Sequence, residues 1–212
     1  MKIKICGIQT VEAAGWAAEA GADMIGFVFA PSTRKVDVNT AKRMAEAVRG
    51  KVECVGVFVN APAEDVEYVH KAVGLDYVQL HGDESRAYTA GLKMPVIKAF
   101  SIGSMPIAEM FRYDARHILI DSPPAEYRGG SGRRFDWSAL EGRALDHSRL
   151  VLAGGINAGN IREAKHLVAP AAVDVSSGVE THGVKDKDKI FELIRTMKGG
   201  EESGKNLYSA RC

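Results

Sequence analysis

Leu150-Val151-Leu152-Ala153-Gly154-Gly155-Ile156-Asn157 and, further on, Ala172-Val173-Asp174-Val175-Ser176-Ser177-Gly178-Val179 are the stretches from which the architecture is read. Each starts as a short apolar run with β character and ends in glycine and small polar residues. A segment of helical period lies between them. A strand, a helical crossover and a second strand pair in parallel, with a right-handed connection. Working outward, the same unit recurs along the chain. Further strand candidates are Lys2–Cys6, Met24–Phe29, Val52–Val59, Tyr77–His81, Val96–Phe100 and His117–Asp121. With Leu150–Ala153 and Ala172–Val175 they make eight.

The intervening segments carry helical stripes. Ala41, Met44, Ala45 and Val48 share one face, with Gly50 as a stop signal. Val66, Val69 and Val73 form the next stripe, with Asn60 ahead of Pro62 as a helix start, and Ile190, Leu193, Ile194 and Met197 form the last. Eight strand–helix units in one chain predict an α/β fold, a single (β/α)8 TIM barrel over residues 1–198 with a flexible tail over 199–212. An open doubly wound sheet is the competing architecture. It ordinarily carries G-x-G-x-x-G after its first strand, whereas this chain reads Cys6-Gly7-Ile8-Gln9-Thr10 there.

Composition narrows the function. The 212 residues are 46% hydrophobic and 26% charged, with a formal charge of +1 and no extended basic stripe. That balance argues against nucleic-acid or membrane partners. Cys6, Cys54 and Cys212 have neither metal-ligand nor redox-motif spacing. The opening residues lead directly into folded-domain pattern, so a reducing, cytoplasmic setting is expected, where a free thiol is usable in chemistry.

Barrel strands point alternate residues into the lumen and gather chemistry at their C-terminal ends. Ile3 and Ile5 should face the helices, leaving Lys4 and Cys6 inside. The same alternation leaves Gln79 and His81, Asp121, and Asp174 and Ser176 at the inner rim. Four strands thus aim polar groups at one mouth, although an unpaired buried polar group costs about 1–3 kcal/mol. Singly, each has an ordinary explanation. Cys6 can be a small inert hydrophobe, as Cys54 is read to be; Asp121 can hold a turn; His81 can satisfy backbone groups; Lys4 and Asp174 can be an inward ion pair. Their shared location favours a site. Glycines after strands seven and eight, in the loops where barrels commonly bind phosphate, mark an anion cradle at Gly154, Gly155, Asn157, Ser177 and Gly178. The loop Tyr127-Arg128-Gly129-Gly130-Ser131-Gly132-Arg133-Arg134-Phe135 is long and glycine-rich, suited to a mobile lid or a plain linker. The lid is preferred because the loop follows the strand carrying Asp121.

These motifs resemble the phosphoribosylanthranilate isomerase family of tryptophan biosynthesis, over residues 1 to about 197. The resemblance rests on Lys4-Ile5-Cys6-Gly7-Ile8, Gly26-Phe27-Val28-Phe29, Val55-Gly56-Val57-Phe58-Val59-Asn60 and Val78-Gln79-Leu80-His81-Gly82. It continues through Leu119-Ile120-Asp121-Ser122, Gly129-Gly130-Ser131-Gly132 with Phe135-Asp136-Trp137, Leu152-Ala153-Gly154-Gly155, and Val173-Asp174-Val175-Ser176-Ser177-Gly178-Val179-Glu180. It implies an Amadori rearrangement of N-(5-phosphoribosyl)anthranilate to 1-(2-carboxyphenylamino)-1-deoxyribulose 5-phosphate, with no metal or organic cofactor. It also implies Cys6 as general base at the sugar C2, Asp121 as general acid at the ring oxygen, and Arg34 on the anthranilate carboxylate. His81, Asp174 and Ser176 would line the substrate site, with phosphate on Gly154, Gly155, Asn157, Ser177 and Gly178. The partner implied is a small phosphorylated substrate, with monomer and homodimer both open. Gln9 and Ala158 stand where the family often has Thr and Pro. The other readings considered are a metal-dependent phosphosugar epimerase on the same barrel and a catalytically silent phosphosugar-binding module. The thiolate is the form a base must take, and Lys4, two residues away on the same strand face, would favour it.

Overall fold

A computed structural model describes residues 1–123, 135–140 and 145–199. Eight parallel strands close into one barrel in sequence order: β1 (Lys2–Cys6), β2 (Met24–Val28), β3 (Glu53–Phe58), β4 (Tyr77–Leu80), β5 (Val96–Ser101), β6 (His117–Asp121), β7 (Leu150–Leu152) and β8 (Ala172–Val175). The predicted strands all form, with ends moved by a residue where the pleat gives way to a loop. The barrel closes through β1 and β8, in a register that sets Lys4 beside Asp174 and Ile5 beside Val175. On its other side β1 pairs with β2, and Cys6 faces Gly26.

Strand alternation separates two cores. Ile3, Ile5, Ile25, Phe27, Val78, Leu80, Ile118, Ile120, Val173 and Val175 pack outward against the helices. Met24, Val55, Ile97, Ala99, Leu119, Val151, Ala153 and Ala172 fill the barrel interior. This is the layered filling of a packed barrel, and it seals the lumen beneath the mouth.

The helices are α1 (Val11–Ala20), α2 (Val38–Ala47), α3 (Ala63–Val73), α4 (Arg86–Gly91), α5 (Ile107–Met110), α6 (Ile161–Val168) and α7 (Lys187–Lys198). Thr10, Asp37, Ser85 and Asp186 cap α1, α2, α4 and α7, each side chain accepting from a backbone N–H in the first turn. After β6 the described residues hold a 3-10 turn, Trp137–Leu140, instead of a full α-helix. The apolar stripes of α2, α3 and α7 bury as the sequence predicts.

Two helix boundaries differ. Asn60 does not start α3: the cap position is Pro62, with no side-chain bond. Asn60 instead sits at φ 52° and accepts from the Asp83 N–H through its side-chain oxygen, tying the β3 end to the β4 end. Gly50 lies beyond the end of α2, which stops at Ala47 with Val48 as its C-cap. A two-stranded hairpin, β9 (Glu180–Thr181) and β10 (Val184–Lys185), follows a short 3-10 turn after β8. The strand pattern did not reveal it, because two residues a side are too few to show a period. Residues 127–134 of the predicted lid and 200–212 of the predicted tail lie outside the described residues. None of the described helices is long and apolar enough to cross a membrane.

Candidate active site

The barrel mouth holds a cavity of about 230 Å³ whose lining includes Cys6, Arg34, Gln79, His81, Asp121, Asp174 and Ser176. These residues come from β1, β4, β6 and β8 and from the loop after β2. A contiguous cavity is lined by Asp121, Ala153, Gly154, Gly155, Ile156, Asp174, Ser176 and Ser177. Asp121, Asp174 and Ser176 border both, so an elongated ligand would span from the Arg34 side to the glycine loops.

Lys4 is fully buried and donates to Asp174 Oδ1 at 2.9 Å. The inward ion pair therefore exists. Lys4 also reaches toward the thiol: a Cβ built on Gly26 would lie 2.9 Å from Cys6 Sγ and 3.1 Å from Lys4 Nζ. Cys6 and Lys4 thus share the space that the missing side chain of Gly26 leaves open. Burial works against the Lys4 charge, but Asp174 and Cys6 outweigh it and raise the ammonium pKa. Burial pushes the Cys6 thiol up, and the Lys4 cation pulls it back only in part. Lys4 favours the thiolate as the sequence suggests, but desolvation outweighs it.

Asp121 is 6% exposed, and its Oδ1 accepts from the Ser122 N–H at 2.7 Å. Its Oδ2 lies 3.9 Å from His81 Nε2. Burial drives the His81 pKa down to about 4, so the ring is neutral near pH 7. Gln79 Nε2 approaches His81 Nδ1 at 3.4 Å. If the amide donates there, the ring proton sits on Nε2 and faces Asp121. The loop carrying His81 is held from below. Lys98, buried, donates to Glu84 and to the Gly82 carbonyl, while Glu84 accepts from the Asn60 and Gly82 N–H groups. Nothing local links this pair: Lys98 is a single charge in the apolar run Val96–Phe100, and Glu84 lies in a polar loop.

The glycine loops form as predicted. Gly154 and Gly155 have φ of 89° and 66°, and a Cβ on Gly154 would lie 2.1 Å from Ser122 Oγ. Glycine is required there because the loop crosses directly over the end of β6. Two proposed phosphate residues are placed differently. Asn157 accepts from the Gly159 N–H and donates to the Gly155 carbonyl, so it pins the turn and does not line the cavity. Gly178 also lies off the cavity wall; a Cβ there would come within 1.9 Å of the Ile156 carbonyl oxygen. It lets the loops after β7 and β8 pack together.

Arg34 lies over Gly7, whose φ of 78° and missing side chain admit it. Gln9, at the family's usual Thr position, donates to the Thr33 carbonyl and so ties the first loop to the Arg34 loop. Arg34 Nε and Nη2 each donate to a Glu180 oxygen at 2.7 Å. Lys185 also pairs with Glu180 and donates to the Ser176 carbonyl at 3.0 Å. The Ser176 hydroxyl in turn donates to the Cys6 carbonyl at 3.1 Å. Glu180 had appeared in the sequence only as the end of a motif, and Lys185 carried no signal.

Comparison with known proteins shows the family. Residues 3–196 match the family model described as N-(5'-phosphoribosyl)anthranilate isomerase. The N-(5'-phosphoribosyl)anthranilate isomerase of Oceanobacillus iheyensis is 46% identical over 199 residues, covering 93% of this chain and 97% of its own. The crystal structure of phosphoribosyl anthranilate isomerase from Thermus thermophilus superposes with a TM-score of 0.84 at 35% identity, covering 94% of this chain and 99% of that one. A phosphoribosyl anthranilate isomerase in complex with reduced 1-(o-carboxyphenylamino)-1-deoxyribulose 5-phosphate superposes with a TM-score of 0.79 at 38% identity, with the same coverage. A match over nearly the whole barrel fixes the kinship: this chain belongs to the N-(5'-phosphoribosyl)anthranilate isomerase family.

Proposed function

We propose that this barrel converts N-(5-phosphoribosyl)anthranilate to 1-(2-carboxyphenylamino)-1-deoxyribulose 5-phosphate by general acid–base catalysis, in tryptophan biosynthesis. One observation carries the reading. Cys6 and Asp121, from strands separated by β7 and β8 on the shorter way round, line the same cavity. The reaction requires both. Asp121, as a carboxylic acid, gives its proton to the furanose ring oxygen; the ring C–O bond breaks and an iminium forms at C1. Cys6, as a thiolate, then takes the C2 proton; the C–H electrons form the C1=C2 double bond and the C1=N π electrons return to nitrogen, giving the enolamine, which tautomerises to the ketone. A base with a raised pKa binds the C2 proton more strongly, although a smaller share of it is ionised near neutral pH.

In this reading the phosphate rests on backbone N–H groups around Gly154, Gly155 and Ser177, near the Asp121 end of the cavity. Arg34 takes the anthranilate carboxylate at the other end. Neutral His81 sits beside Asp121 and can donate to it without adding charge. The family's activity is tested by mixing purified protein with fluorescent N-(5-phosphoribosyl)anthranilate. Fluorescence should decay with turnover, and its persistence in the presence of folded protein would remove the isomerase assignment.

Lys4 yields a separate prediction. The base works ionised, so kcat/KM should rise with pH through the thiol's pKa. Lys4 lowers that pKa through its charge, and Lys4→Met removes the cation while leaving Asp174 negative nearby. The acidic limb of the kcat/KM profile should therefore move to higher pH, with part of the lost activity recovered in alkaline buffer. A limb unmoved from wild type would mean that Lys4 serves only to balance Asp174.

A further inference from the structure

The hairpin after β8 is a device at the barrel mouth that the acid, the base and the phosphate cradle leave unused. Its turn residues His182 and Gly183 have φ of 52° and 79°, the pattern of a tight two-residue hairpin turn. Glu180 and Lys185 stand directly opposite one another across it. A cross-strand pair on so small a ribbon is ordinarily solvated and worth little. Here both side chains turn inward, at 5% and 3% exposure. The hairpin is anchored to α7 as well, because Lys189 donates to the Glu180 carbonyl at 2.7 Å and Thr181 donates to Asp186 at 2.6 Å.

Arg34 reaches this pair from the loop after β2. Its Nε and Nη2 meet the two Glu180 oxygens in a fork-to-fork arrangement, which fixes the plane of the guanidinium as well as its position. Nη1 makes no hydrogen bond within the described residues, and Arg34 lines the cavity that holds Cys6 and Asp121. Two cations and one anion leave this cluster with one net positive charge at the end of the mouth away from the glycine loops. Burial opposes the Glu180 charge, but Arg34 and Lys185 hold its carboxyl below the usual range.

We propose that Glu180, locked by Lys185, is a positioning and specificity-determining residue: it orients Arg34 in advance so that the remaining guanidinium donors meet a carboxylate on the aromatic part of the substrate. The inference rests on the reading of Arg34 given above. A guanidinium held in this way loses little freedom when the carboxylate arrives, so the site distinguishes a substrate that has one from a substrate that lacks it. The Glu180 carboxylate itself touches no reacting atom.

The test compares two substrates, N-(5-phosphoribosyl)anthranilate and the aniline analogue without the carboxylate, on wild type, Arg34→Met, Glu180→Gln and Lys185→Met. Wild type should prefer the carboxylated substrate, and Arg34→Met should abolish most of that preference. Glu180→Gln should lower the ratio of the two kcat/KM values by about tenfold or more, through KM for the carboxylated substrate, with little change for the aniline analogue. Lys185→Met, which leaves the Arg34–Glu180 pair intact but loosely held, should lower the ratio by a smaller factor and serves if Glu180→Gln does not fold. A structural role alone would depress both substrates equally. An unchanged ratio in folded Glu180→Gln, or in Lys185→Met should the former not fold, overturns the proposal when Arg34→Met has collapsed it. An unchanged ratio in Arg34→Met itself overturns the reading of Arg34 on which the proposal depends.

Discussion

Replacing Cys6 by alanine should lower kcat by at least about a hundredfold, the range expected when a general base is removed. The change trims a single sulfur atom from a site walled by Gly26 and Lys4, and the outward core does not include Cys6. Thermal unfolding should therefore stay near wild type, separating a chemical loss from a folding one. Cys6→Ser is the sharper variant. It keeps the shape and a polar atom but offers a hydroxyl that does not ionise in the working pH range. If either variant turns over near the wild-type rate, Cys6 is not the base, and its burial beside Lys4 is a packing arrangement. Stopped-flow decay of substrate fluorescence resolves the two outcomes directly.

Asp121→Asn should produce a loss of similar size, again at least about a hundredfold in kcat. The amide is nearly isosteric, and its oxygen can still accept from the Ser122 N–H that now meets Oδ1. What it cannot do is deliver a proton to the ring oxygen. Ring opening would then be the step that fails, so substrate should bind but remain cyclic. The expected signature is a KM close to wild type with kcat collapsed. Substrate affinity falling in step with kcat would instead assign Asp121 to binding, which its place between the two cavities also permits. Comparing Cys6→Ala with Asp121→Asn and the double variant adds a further check. If both act in one reaction sequence, the double loss should fall well short of the product of the single losses.

The order of events in the barrel bears on both variants. Cys6 lies beneath the mouth with its thiol desolvated, and the Lys4 cation, with a smaller contribution from Lys185, stabilises its ionised form. Once Asp121 has opened the ring, the iminium adds a further positive charge close to the thiolate. The ionised form of Cys6 is thus favoured more after the acid step than before it, by the same electrostatics that Lys4 exerts in the free protein.

The periodic part of this structure was legible from residues alone. Eight β-runs separated by helical stripes allow few arrangements, and alternation within Lys2–Cys6 or Ala172–Val175 states which side chains enter the lumen. Strand geometry is local, so Lys4, Cys6, Asp174 and Ser176 were assigned to the interior without knowledge of their partners. Glycines at strand ends told of close backbone approach, although not of what approached. Gly154 faces Ser122, and Gly178 faces the Ile156 carbonyl, and neither neighbour is near in sequence.

Placement across the barrel was decided only by the tertiary structure. Whether Lys4 served Cys6 or Asp174 depended on the β1–β8 register and on the space at Gly26, both of which are long-range contacts. The level at which the Cys6 thiol ionises depended on how completely the closed barrel excludes water, a property of the assembled fold and not of any segment. Arg34 comes from the loop after β2 and Glu180 and Lys185 from the hairpin after β8, which is too short to leave a periodic trace. The sequence by itself determined an eight-stranded barrel and which residues face its lumen, because pleat and helix period are written locally. Which of those residues touch, which are desolvated, and which loop holds which, only the closed barrel decided, because those facts follow from contacts between residues far apart along the chain.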